Sequence, residues 1–411
     1  MKRFLKKLSL FWTSIAPGIF LVGYNIGTGS ITTMAAGGAG YNMSLLWALV
    51  LSCLFTYIMV VGFSKYTIVT GETSLHAFKS HFGKSITLFL MFCIIVSETI
   101  SCMGVMGVVA QVIQEWTRPL TVSGDGLNPI FVAFVFCVML YYVFWQGKNH
   151  LFEKFLSIIV FIMGTCFLVT MFVAMPAPAA IVRGLIPTLP DNTNGYIIVA
   201  GMVGTTMGGV LYVVRSILVS EAKWTPDDMK MQRRDSIISV GMMFFLSFAV
   251  MACAAGTMYV KGLKVENAID MVQLMEPLAG KMATSLFVSG IVCAGLSSLF
   301  PIIVLGPWLA CDFLGIKRDL TKPWARIWAL LTTLCGMVVP VFGGRPVSVM
   351  IISQSLAIIS TPLVVLLMII LLNRKSIMGG QTAKTGENIL YYLTLFFTII
   401  ISTIAIIGLL K

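Results

Sequence analysis

Long apolar runs, separated by short polar stretches, occupy the chain from residue 12 almost to its end. Most are about 20 residues long, the length at which a helix crosses ~30 Å of hydrocarbon. The pattern predicts eleven spanning helices, at 12–39, 44–64, 85–111, 129–145, 153–175, 195–221, 236–260, 284–314, 324–342, 346–372 and 389–410. Nothing large enough to fold in water remains between them, so a single all-α integral membrane domain is expected. An odd number of spans puts the termini on opposite sides.

Composition strengthens this reading. Of the 411 residues, 58% are hydrophobic and 11% charged, against about 25% charged in an average soluble domain. The cysteines lie mostly inside apolar runs (Cys53, Cys93, Cys166, Cys253 and Cys293) without CxxC or His-linked spacing. They read as small buried side chains, with neither a disulfide nor a structural metal. The net charge of +12 reads as membrane topology and not as a nucleic-acid surface. With the N-terminus inside, the cytoplasmic segments hold 21 of the 28 Lys and Arg residues, which predicts an external C-terminus. The basic start, Lys2 and Arg3, runs through Ala16-Pro17-Gly18 without a cleavage site, so the first span is expected to be retained. A bacterial-type cytoplasmic membrane is the expected location, with the chain as a monomer whose partners are the bilayer and a small substrate or ion.

The first and sixth spans differ from the others. The first contains Gly23-Tyr24-Asn25-Ile26-Gly27-Thr28-Gly29-Ser30 and the sixth Gly204-Thr205-Thr206-Met207-Gly208-Gly209. Each glycine in a helix interior costs roughly 1 kcal/mol relative to alanine, so both clusters permit unwinding. Unwound backbone at membrane depth is tolerated only where it lines a cavity or lies within protein. Spans one and six correspond in a five-plus-five inverted repeat, and paired interruptions there point to a transporter's central site. For either cluster alone, close helix packing through glycine is the competing reading.

Several stretches resemble Nramp-type divalent metal transporters: "APGIFLVGYNIGTGSITTMAAGGAGYNMSLLW" (16–47), "VTGETSLHAFKSHFGK" (69–84), "KGLKVENAIDMVQLMEPLAGKMATSLFVSGIVCAGLSSLF" (261–300) and "ISQSLAIISTPLVVLLMIILLNRKSIMGG" (352–380). The resemblance implies a leucine-transporter-type fold, with repeat one at about 12–175, repeat two at about 195–372 and an extra helix at about 389–410. The family's first-span Asp-Pro-Gly-Asn is matched by Gly27-Thr28-Gly29-Ser30, without the aspartate. Its sixth-span Met-Pro-His is matched by Met207-Gly208-Gly209, or with a slip of one residue that puts Gly208 at the methionine position. The histidine is gone either way. Gln354 matches the family's tenth-span glutamine. Glu98 lies near its third-span aspartate, with Ser101 where a glutamate follows.

The expected substrate site therefore comprises Gly27, Thr28, Gly29, Ser30, Thr205, Thr206, Met207, Gly208, Gly209 and Gln354, with Glu98, Ser101 and Arg215 on a coupling pathway. Two cargoes fit this donor set. One is a divalent cation, either Mg²⁺ held through its water shell or Mn²⁺. The other is an amino acid or small organic anion held by backbone N–H groups at a half-helix N-terminus. An intramembrane acid such as Glu98 needs a partner or a wet path, and H⁺ or Na⁺ coupling is expected without any cofactor. Arg215 either snorkels to the interface or gates the inner vestibule. Asp312, near Lys317 and Arg318, reads as a solvated interfacial charge. "GTGS" is not followed by Gly-Lys-Ser/Thr and "GLSSL" lacks a strand–turn–helix setting, so no enzyme is expected.

Overall fold

The apolar runs fold as helices because lipid offers their backbones no hydrogen-bond partner, and a helix satisfies almost every group internally. The computed structural model describes residues 27–146, 162, 164–274 and 283–411. Its principal helices are α1 (Thr28–Tyr41), α2 (Leu46–Thr70), α3 (Ser74–Phe82), α4 (Lys84–Thr117), α5 (Pro129–Gln146), α6 (Thr193–Met207), α7 (Gly209–Ala222), α8 (Met229–Ala254), α9 (Ala283–Leu314), α10 (Pro323–Cys335), α11 (Pro346–Ile359), α12 (Thr361–Asn373) and α13 (Thr385–Leu410). Among the described residues, nine helical stretches are long and apolar enough to cross a membrane, α6–α7 and α11–α12 each counting once. Eleven were predicted. The remaining two, 12–39 and 153–175, lie partly outside the described residues; α1 and the helix Gly164–Val173 are their described parts.

The bundle is organised around α6 and α11, which pack on each other; α11 also packs on α4, α4 on α9, and α1 on α8. Between helices in lipid the hydrophobic effect gives little drive, so close backbone approach through small residues matters. A methyl group at Gly204 would collide with the Gln354 carbonyl of α11, and one at Gly38 with the Met251 carbonyl of α8. These two glycines set the distances α6–α11 and α1–α8.

Several ion pairs tie helices together. Lys65 of α2 is bound to Glu387 of α13 at 2.9 Å. Arg318 pairs with Glu221 at the end of α7. Two expectations are corrected here. Asp312 is not a solvated charge: it is buried, and its Oδ1 accepts a hydrogen bond of 2.5 Å from Thr73 Oγ1. Arg215 does not snorkel: it is fully buried and pairs with Asp235 of α8 at 2.5 Å. In both cases protein groups replace water: Thr73, just after α2, bonds Asp312, while Ser64 of α2 and Asp235 and Ser236 of α8 bond Arg215.

Candidate substrate-binding site

The sixth predicted span is broken, as its glycines suggested, but at a single residue. Gly208, at φ −59° and ψ 141°, leaves the helical region between α6 and α7. A break deep in the bundle must find partners for its freed backbone groups. Thr56 Oγ1 donates to the Thr206 carbonyl at 2.8 Å, and the Gly209 N–H donates to Thr361 Oγ1 at 2.9 Å. Helices α2 and α12 thus supply the hydroxyls that hold the two half-helices in place. Facing the break, α1 begins from an extended Gly27, and no side chain caps its first turn.

Between these two helix ends lies a cavity of about 40 Å³. It is lined by Gly27, Gly29 and Ser30 of the α1 start, Gly204, Thr205 and Gly208 at the break, and Glu98 and Ser101 of α4, with Ser298 of α9 and Met350 and Gln354 of α11 among the others. Gln354 Nε2 donates to Ser101 Oγ at 3.4 Å, joining the predicted α11 and α4 residues across the cavity. Ser30 Oγ is 3.2 Å from Ser247 Oγ of α8. Glu98 is half-buried and is the carboxylate among the lining side chains.

Four predicted substrate-site residues, and the pathway residue Arg215, lie outside the lining. Thr28 is fully buried and not among the lining residues. Thr206 Oγ1 donates to Ser52 Oγ at 2.7 Å, inside the α6–α2 contact. Gly209 is taken up by its bond to Thr361. Met207 is fully buried and not among the lining residues, because residues two apart on a helix point to nearly opposite sides and Thr205 takes the lining position. Arg215 is likewise outside the cavity, in its pair with Asp235. Ser298, Met350 and Ser247 were not foreseen. Ser298 carried one indirect signal: it adjoins Ser297, whose carbonyl lies four residues before Pro301, an internal proline of α9, and is freed by it.

A second cavity, of about 350 Å³, opens where the N-terminal ends of α6 and α11 meet, with Tyr41, Asn192, Lys264, Glu266, Arg345 and Ser348 in its wall. Between the two cavities α1, α6 and α11 close on one another: a methyl at Gly201 would lie 3.1 Å from Thr33 Cγ2 and 3.2 Å from the Ile351 carbonyl. Among the described residues no group of three His, Cys, Asp or Glu side chains is placed to hold a metal ion; the polar side chains lining the central cavity are the hydroxyls of Ser30, Ser101, Thr205 and Ser298, the Gln354 amide and the Glu98 acid.

Residues 18–408 match the family described as "Natural resistance-associated macrophage protein-like". The chain belongs to this family. Its Nramp-like relatives include the divalent metal cation transporter MntH of Deinococcus radiodurans, 25% identical over 377 residues that cover 88% of this chain and 82% of the relative. A natural resistance-associated macrophage protein 2 homolog of Dictyostelium discoideum is 25% identical over 394 residues, covering 91% of this chain and 60% of its own length. Among solved structures, the Eremococcus coleocola manganese transporter in complex with an aromatic bis-isothiourea compound superposes with a TM-score of 0.73 at 15% identity, covering 97% of this chain and 86% of that one. MhsT in complex with L-phenylalanine superposes with a TM-score of 0.65 at 13% identity, covering 97% and 98%. At these identities the structures establish the fold alone: all-α, of the leucine-transporter type. This Nramp-like chain is a membrane transporter and not an enzyme.

Proposed function

We propose that this chain is a secondary transporter that carries a divalent metal cation across the membrane by alternating access. The observation that carries the reading is the central cavity, placed where α1 begins and α6 gives way to α7 and lined by oxygen donors from Ser30, Ser101, Thr205, Ser298, Gln354 and Glu98. The family and the relatives named for divalent metal cations support it. In the full architecture the spans number eleven, the regions 12–175 and 195–372 form the inverted repeat, and 389–410 is the added helix. The N-terminus is cytoplasmic, as the distribution of Lys and Arg indicates.

Hydration bears on the cargo. Mg²⁺ sheds water reluctantly and would be held through its shell, whereas an ion that gives up water more readily, such as Mn²⁺, can take the hydroxyl, carboxamide and carboxylate oxygens of the wall directly.

Titration calorimetry on the purified protein tests the reading. Saturable heat is expected with Mn²⁺ and weaker heat with Mg²⁺ or Ca²⁺, and the Mn²⁺ signal is expected to fall in Ser30→Ala and Gln354→Ala. Silence with every metal, together with a thermal shift from an amino or organic acid, would reverse the assignment. Glu98, the acid in the cavity wall, is assigned to proton coupling. Glu98→Gln in proteoliposomes is then expected to leave Mn²⁺ flux independent of external pH, and an unchanged pH profile removes Glu98 from that role.

A further inference from the structure

The wild-type sequence places a thioether, Met207, at the helix break, but that side chain is buried away from the cavity. The sulfur among the lining residues belongs instead to Met350 of α11. Met350 and Gln354 are four residues apart and so share one face of the helix. Both reach α1: the Met350 methyl and Gln354 Nε2 each lie 2.9 Å from where a Cβ on Gly29 would stand. On its other side the Met350 sulfur lies 2.6 Å from the position of a Cβ on Gly104 of α4. Gly104 is next to Val105 and one turn from Ser101, both of which line the cavity. The thioether therefore spans from the α1 wall to the α4 wall, in a slot that exists because positions 29 and 104 are glycine.

A methionine over two glycines is, in general, a good gap-filler. What sets Met350 apart is its place in the wall that Gln354 and Glu98 also line, where its sulfur is the one soft donor among the lining side chains. Thioethers favour polarisable transition-metal ions, whereas Mg²⁺ and Ca²⁺ take oxygen. Rotation of the terminal torsions, which cost little in an unbranched side chain, turns a sulfur lone pair toward the cavity.

We propose that Met350 is the soft ligand of the transported ion and sets its selectivity, favouring manganese-like and softer divalent cations over Mg²⁺ and Ca²⁺. The proposal rests on the divalent-cation reading above. It assigns the sulfur to α11 rather than to the break in the sixth span, and it gives Gly29 and Gly104 a role as the floor of the thioether slot.

The test uses the full-length protein purified in detergent and titrated separately with Cd²⁺, Mn²⁺ and Mg²⁺. The wild type is expected to bind Cd²⁺ and Mn²⁺ more tightly than Mg²⁺. Met350→Ile is expected to weaken Cd²⁺ by about tenfold or more, weaken Mn²⁺ less, and leave Mg²⁺ unchanged. Gly104→Ala keeps the sulfur but displaces it, and is expected to shift the Cd²⁺-to-Mg²⁺ ratio in the same direction. Cadmium K-edge absorption should show a sulfur neighbour in the wild type that is lost in Met350→Ile, a readout that a packing role does not produce. If Met350→Ile weakens all three ions equally or none of them, or if the sulfur neighbour persists, Met350 is not the ligand and the divalent reading stands. If the wild type binds none of the three ions, the divalent reading itself fails and the ligand assignment falls with it. A variant that does not fold is judged from the wild-type cadmium spectrum alone: a first shell without sulfur overturns the proposal.

Discussion

Arg215→Met is expected to destabilise the protein by about 3–5 kcal/mol, because it breaks a buried ion pair by removing the guanidinium. Neither side chain of the Arg215–Asp235 pair is exposed. The guanidinium uses its whole fork: Nη1 to Asp235 at 2.5 Å, Nε to Ser64 Oγ at 2.8 Å and Nη2 to Ser236 Oγ at 3.3 Å. Its carbon also sits 5.3 Å from the centre of the Trp224 ring. One arginine thereby joins α7 to α2 and α8, and lysine cannot reproduce that geometry with a single ammonium. The same principle makes a second variant informative. Replacing both charges, as Arg215→Met with Asp235→Leu, removes the need to desolvate either ion and is expected to recover most of the lost stability. Thermal unfolding of the purified variants in one detergent measures both effects. A single variant as stable as the wild type would show that water reaches this pair. A double variant no better than the single would show that the serine hydrogen bonds, rather than the ion pair, hold the three helices.

This arginine also marks where the sequence stopped being readable. Its partner is 20 residues away, on the far side of the turn at 223–228, and nothing local shows that α7 and α8 bring the two together. Helix positions were far more accessible. The predicted span 129–145 is Pro129–Gln146, and 324–342 is Pro323–Phe342, because apolar length in lipid is a property of each segment alone. The predicted span 346–372 contains a discontinuity between α11 and α12 at Ser360 that Pro362 could have announced.

The break in the sixth span was legible from its glycines, but its extent was not. Six residues were read as a loosened stretch, whereas Gly208 alone leaves the helix because Thr56 and Thr361 restrain both sides. Side-chain direction was the least accessible level. Ser30 lines the cavity and Thr28 does not; Thr205 lines it and Met207 does not. Those outcomes depend on the rotation of α1 and α6 about their axes, which is set by contacts with α8 and α11 far along the chain. Met350 had no local signature for the same reason: its slot is made by Gly29 and Gly104, which lie hundreds of residues before it.

Gly204→Ala is expected to be among the most damaging single-methyl changes in the chain. The added carbon would overlap the Gln354 backbone carbonyl, and a carbonyl fixed within a helix cannot rotate aside as a side-chain tip can. Helices α6 and α11 must then separate. Overpacking of this kind costs about 1–3 kcal/mol, occasionally more. The separation is also felt at the site, since Gln354 donates to Ser101 from the same turn and Gly204 itself lines the cavity. Loss of saturable Mn²⁺ binding is expected together with the lower unfolding temperature. Gly241→Ala provides the opposite sign from the same chemistry. Gly241 lies inside α8 with nothing within 4 Å of an added Cβ, so alanine there gains helix propensity of about 0.5–1 kcal/mol. Its unfolding temperature should rise and its Mn²⁺ titration should match the wild type. If the two variants behave alike, the α6–α11 approach at Gly204 is not a fixed dimension of this bundle. If Gly204→Ala is destabilised yet binds Mn²⁺ normally, the spacing of these helices governs stability without governing the site.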